Sequence, residues 1–140
     1  MKALKKIDKS RLIAIKGDKI LVLDKIGLPK KYSLSGGIKK KNETDFQSLV
    51  RETFEEIGVL LKKKHLKYFI SRKAVKKDGQ EVYKHYFITT KKIKKEVIVQ
   101  ETHKFNKARW VPWYYALEYL DKEDSKAVTL YFEQFNQKVN

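Results

Sequence analysis

Cysteine is absent from all 140 residues, which removes disulfides, thiolate metal sites and cysteine nucleophiles at once and suits a reducing cytoplasm. No run of apolar residues is long enough to cross a bilayer. The opening MKALKKIDKSRL is basic but has no apolar stretch behind it, so no secretory signal and no membrane partner are expected. There are only two prolines and six glycines, and no stretch rich in Pro, Gly or Ser that would serve as a linker. A single domain over residues 1–140 is the expectation, long enough for a real core. Acids are scarce too, 17 Asp and Glu against 33 Lys and Arg.

The resulting net charge of +16 would attract polyphosphates or a nucleic-acid end. Yet only four of the basic residues are arginine (Arg11, Arg51, Arg72 and Arg109), and arginine is the better bidentate reader of phosphates and bases. The lysines fall in short runs near turns and read for the most part as a solvated surface.

Several strands are expected. Arg11–Lys16 and Lys19–Lys25 flank the Gly17-Asp18 turn, and Leu66–Val75 and Gln80–Thr90 flank Asp78-Gly79, two hairpin signals. Shorter strands are expected at Tyr32–Leu34, Glu96–Val99 and Ala108–Trp113. A closing helix from Asp124 to about Lys138 carries Ala127, Leu130, Tyr131 and Phe135 at helical spacing. The best-determined element is a central helix over Asp45–Ile57. Phe46, Leu49, Val50, Thr53, Phe54 and Ile57 form its buried stripe, Thr44 with Gln47 a capping box, and Gly58 a left-handed cap.

On that helix Glu52, Glu55 and Glu56 stand three and four residues apart, on the face expected to point away from the stripe. Like charges so placed repel by a few tenths of a kcal/mol per pair, and Arg51, four residues before Glu55, cannot neutralise all three. A hard divalent cation can. A solvated acidic face is the plainer alternative, but Gly36-Gly37 before the helix, Glu43 near its start and Gly58 at its end argue for a site.

Gly37, Glu43, Arg51, Glu52, Thr53, Glu55, Glu56, Gly58 and Val59 together resemble the Nudix hydrolase signature, G-x5-E-x7-R-E-U-x-E-E-x-G-U with U aliphatic. Thr53 is the one departure. The resemblance implies a fold of the α/β (α+β) class, an α/β/α sandwich around a mixed sheet with a loop–helix–loop metal site. It also implies hydrolysis of a nucleoside diphosphate linked to another group, with water attacking phosphorus and Mg2+ or Mn2+ as cofactor. By position, Glu52, Glu55 and Glu56 would be metal ligands, with the Gly37 carbonyl a further one. Arg51 would orient the glutamates, and Glu43 would support the loop or a further metal. The base that takes the water's proton would be Glu55 on the helix, or Glu101 or Glu96 on a later loop.

Thr102–Leu120 is similar to the corresponding region of bacterial RNA pyrophosphohydrolases and dinucleoside polyphosphate hydrolases, although Lys104 stands where those proteins carry a glutamate. The substrate choices are therefore a nucleoside triphosphate, a dinucleoside polyphosphate, an ADP-ribose type of compound or the 5′-triphosphate end of RNA. Tyr32, Tyr83, Phe87 and Trp110 are candidates to stack on a base, and Arg72 with Lys73 to reach a phosphate. His65, His85 and His103 have no metal-ligand spacing. The chain would act as a monomer or homodimer. A nucleotide- or RNA-binding protein without turnover is the alternative, since a scaffold alone does not confer activity.

Overall fold

The computed structural model describes the backbone of residues 5–139 and side chains as far as residue 134. In chain order it contains β1 (Ile7–Ile13), β2 (Ile15–Lys16), β3 (Lys19–Lys25), β4 (Tyr32–Ser33), β5 (Ser35–Ile38), α1 (Asp45–Ile57), a 3-10 turn (Lys63–His65), β6 (Leu66–Val75), β7 (Glu81–Thr89), β8 (Phe105–Pro112), α2 (Trp113–Ala116) and α3 (Lys122–Val139). A mixed sheet runs β5-β1-β7-β6, with β1 parallel to β7 and the other pairs antiparallel. A second, antiparallel sheet is built on β3, which pairs with β2, β4 and β8.

Alternation along the strands sorts the core into two layers. Ile13, Ile20, Val22, Tyr86 and Ile88 face a cluster completed by Ala116, Ala127, Val128 and Phe132 of α2 and α3. Leu12, Leu21, Leu23 and Phe87 face the other way, against Leu49 and Ile57 of α1. Helices thus cover both sides of the strands, a mixed α+β fold of the expected sandwich type.

Three expected strands differ. The run expected at Arg11–Lys16 breaks at Ala14, because the chain leaves the first sheet there and joins the second. The break is sealed by Ile15 N–H donating to Thr89 Oγ1 at 3.0 Å and Leu21 N–H to the Ala14 carbonyl at 3.1 Å. Tyr32–Leu34 likewise splits at Leu34, and the following Ser35–Ile38 joins β1. Glu96–Val99 is not a strand. Val97 and Val99 pack on the cluster under α1, so their alternation records burial without a ladder partner.

Helix α1 has its expected bounds, capping box and left-handed Gly58 cap at φ 67°. Its buried face is turned from the expected one. Ser48, Leu49, Thr53, Glu56 and Ile57 are inside, while Phe54 is 55% exposed. In α3, Ala127 is buried as expected, Leu130 is 41% exposed, and Val128 and Phe132 fill the core instead. The Phe135 side chain lies outside the described residues. Replacing Leu49 by Ala should cost about 2–5 kcal/mol of unfolding free energy in a urea titration, the usual range for a sealed core leucine. Phe54→Ala should cost well under half as much.

Candidate active site

The site is assembled where β5 lies against α1. Gly36 has φ 138°, and a Cβ there would lie 1.9 Å from the Ser10 carbonyl oxygen of the neighbouring strand, so no side chain fits. At Gly37 a Cβ would lie 2.4 Å from the Glu52 carboxylate carbon. The missing side chains let two carboxylates of α1 approach one dipeptide. Glu52 lies against Gly37, and Glu56 accepts from Gly36 N–H at 2.9 Å.

Glu56 is 4% exposed, contrary to the expectation that all three acids point away from the core. The helical pitch puts residue 56 beside Thr53 and Ile57 on the buried face. Its Oε1 also accepts from the Ser35 hydroxyl at 2.8 Å. Burial pushes its pKa up to about 7, although the Gly36 and Ser35 hydrogen bonds and the Arg11 charge oppose the shift.

Arg51 is the hub for the other acids. Its guanidinium makes a two-point contact with Glu43, Nε at 2.7 Å and a terminal nitrogen at 3.0 Å, donates to Glu52 at 2.9 Å and reaches Glu55 at 3.5 Å. It also donates to the Ile38 carbonyl at 3.2 Å. Hydrogen bonding to Arg51 holds the Glu43 carboxyl down at about 2, and the same contact raises the arginine's own pKa. Arg51 therefore ties the loop before α1 to the helix. Glu55, with a 47% exposed side chain, is the least held of the acids.

The loop after β7 reaches this end of α1. Gln100 N–H donates to the Glu56 carbonyl at 2.8 Å and Lys95 Nζ to the Gly58 carbonyl at 3.0 Å. Glu101 follows directly. One of its oxygens is enclosed without a hydrogen-bond partner, and the other lies 3.4 Å from Lys104 Nζ. Glu96 is exposed.

A family model for the NUDIX domain matches residues 8–131. The chain belongs to the Nudix family. No curated protein sequence matches it significantly. Among solved structures it is similar to the E. coli ORF135 protein, with TM-score 0.77, 21% identity, and 93% of this chain and 91% of that one covered. A MutT NUDIX hydrolase from Burkholderia pseudomallei gives TM-score 0.73 at 17% identity over 89% and 97% of the two chains. A C. elegans Ap4A hydrolase gives 0.73 at 16% over 94% and 98%. At these identities the likeness is one of fold. Among the described residues no helix is long and apolar enough to cross a membrane.

The remaining candidates of this Nudix chain are dispersed. Tyr32 is 4% exposed and packs edge-on against Tyr119, with ring centroids 5.2 Å apart. Trp110 is half-buried beneath Lys16, whose Nζ lies 4.2 Å from the ring centroid. Arg72 is engaged with Glu123 at 2.8 Å, and Tyr83 with Glu81 and Lys6. Phe87 is a core residue. His85 bridges Ser71 and Asp8 across three strands.

Ser35 belongs to the site without having carried any sequence signal, and it meets Glu56 only because β5 and α1 come together.

The raised pKa of Glu56 makes stability pH-dependent. Between its ordinary value of 4.5 and about 7 the folded chain binds the proton that the unfolded chain releases. Its stabilising contribution is therefore complete below pH 4.5 and lost as pH rises through 7. Urea midpoints of the metal-free protein should fall over that window, and Glu56→Gln should remove this component of the slope.

Proposed function

We propose that the chain is one Nudix domain that hydrolyses the diphosphate linkage of a substrate containing a nucleoside diphosphate. Family membership places it among pyrophosphohydrolase-type enzymes. The observation that carries the reading for this chain is the convergence of Glu52 and Glu56 on Gly36-Gly37, with Glu55 beside them on the open face.

This donor set fits a hard divalent cation. It consists of carboxylate oxygens and a backbone carbonyl, the ligands that Mg2+ and Mn2+ take. Among the described residues no three acidic or histidine side chains already enclose a point that could hold an ion, because Glu52 is turned to Arg51 and Glu56 to Ser35 and Gly36. Glu52, Glu55, Glu56 and the Gly37 carbonyl would hold the metal, and Glu43 would brace the loop through Arg51. When bound, Mg2+ or Mn2+ supplies charge neutralisation of the diphosphate and a more acidic water.

The chain's own contribution is positioning and proton transfer. Arg51 keeps Glu52 and Glu43 in fixed relation, and the rigid Gly36 contact fixes Glu56. Glu55 is free to swing and to take the attacking water's proton. Glu101 is a second base, favoured by its enclosed and unpartnered oxygen. Nucleotide polyphosphates, ADP-ribose compounds and the RNA 5′-triphosphate end all present the required linkage. The reading includes a cytoplasmic setting, in keeping with the lack of cysteine.

Product release across a panel of these compounds, with Mg2+ or Mn2+, tests the proposal. Glu55→Gln and Glu56→Gln should each lower kcat/KM by about 100-fold or more, and EDTA should abolish turnover. If Glu101 is the base, Glu101→Gln will flatten the pH–rate profile and Glu55→Gln will not. Binding of nucleotides or RNA that persists in EDTA, with no turnover of any compound, would favour a non-catalytic Nudix scaffold.

A further inference from the structure

Beyond the Gly58 cap the chain runs beside the loop that follows β7, and a groove of about 400 Å³ lies between them. Two ties set its ends. Thr90 N–H donates to the His65 carbonyl at 2.9 Å, and Lys95 Nζ donates to the Gly58 carbonyl at 3.0 Å. Between these ties, among the described residues, no backbone hydrogen bond crosses from residues 60–62 to residues 91–94. The walls therefore do not close on each other as a ladder.

Floor and rim differ in chemistry. Val59 and Leu61, 6% and 8% exposed, form the floor with the half-buried Ile93, and all three pack on the core under α1. Leu60 also lines the groove and is 65% exposed. Around them stand the exposed Lys62, Lys91, Lys92, Lys94 and Lys95.

Nothing nearby neutralises these lysines. Residues 59–67 and 89–95 add Lys63, Lys64 and Lys67 to them and contain no acid. The next residue, Glu96, is exposed and pairs with none of them, and none forms an ion pair among the described residues. Burial and the charges of Lys91, Lys64 and Lys62 lower the pKa of His65, so a group inside the cluster already feels its field. Unpaired cations around an apolar floor call for a partner that is anionic and apolar at once.

Three occupants meet only part of that requirement. A nucleic-acid strand would neutralise the lysines, but the lining offers no arginine and no Phe, Tyr or Trp on which a base could stack. The floor would stay bare. A bilayer is planar and does not reach a recessed floor. A second copy of this chain carries +16 itself, and its clustered acids are engaged with Arg51 or buried. An acidic peptide with apolar side chains meets both parts. In an extended segment alternate residues point to opposite sides, so apolar side chains reach the floor while carboxylates meet the rim. Its backbone can also hydrogen-bond to the irregular walls.

We propose that this groove is a docking site for an extended acidic segment of another protein. Leucine-like side chains seat on Val59 and Leu61, and carboxylates are held by Lys62, Lys91 and Lys94. The proposal uses none of the site's acids and does not depend on the hydrolase reading.

A fluorescently labelled octapeptide of alternating Asp and Leu, titrated into the full chain and read by anisotropy, tests it. Salt at about 0.15 M screens the overall charge. The parent protein should bind this peptide, and should bind an Asp–Ser counterpart of equal charge about tenfold more weakly or worse, since each seated leucine adds apolar burial. Lys91→Gln combined with Lys94→Gln should weaken the Asp–Leu peptide about tenfold. Lys76→Gln with Lys77→Gln, at the far end of the β6–β7 hairpin, should weaken it about threefold at most. Leu60→Ser, at an exposed position, should weaken the Asp–Leu peptide and leave the Asp–Ser peptide unchanged.

Failure of the parent to bind, equal affinity for the two peptides, or equal losses in the two lysine pairs would overturn the proposal. Tighter binding of a uridine oligonucleotide or of phosphatidylserine vesicles through Lys91 and Lys94 would overturn it too, and would give the groove to nucleic acid or to a membrane surface.

Discussion

The close approach of α1 to the β5 backbone at Gly36-Gly37 is the constraint on which the candidate site depends. Two residues without side chains let the carboxylates of Glu52 and Glu56 reach a strand that any Cβ would hold away. The approach is set from both sides, by Leu49, Thr53 and Ile57 packing α1 onto the sheets and by the β1–β5 ladder holding the dipeptide in register. Core packing and site geometry are therefore the same set of contacts, and a loosened core would loosen the carboxylates with it.

Charge is distributed with equal economy. A chain rich in lysine uses one arginine to collect three of its acids, since a planar guanidinium can donate in several directions from a rigid frame. Glu56, which Arg51 does not reach, is held by neutral donors and by burial, which pushes its pKa up to about 7. On the other side of β1 lies a cleft lined by Lys9, Arg11, Lys25, Lys30, Lys31 and Lys84 together with Glu118, Asp121 and Asp124.

Much of this was legible in the chain. The bounds of α1, its Thr44–Gln47 capping box and its Gly58 cap are local features, decided by residues within one turn of each other. The spacing of Gly37, Glu43, Arg51, Glu52, Glu55 and Glu56 likewise belongs to one short segment. The break at Ala14 was not legible, because a continuous apolar run does not reveal that two sheets share it. Val97 and Val99 alternate like a strand, yet strand formation needs an open edge, and the fold supplies them only a hydrophobic surface.

The sequence by itself determined the helix, its caps, the acidic signature and the family, because each is written in contiguous residues whose spacing has one regular structural reading. Only the tertiary structure decided which acid is buried. Glu56 and Phe54 exchange their expected environments, since the rotation of a helix about its axis is set by what it packs against, with no local signal. It alone brought Ser35 to Glu56 and gathered Lys9, Lys30 and Lys84 around one cleft, for these contacts join residues far apart in the chain.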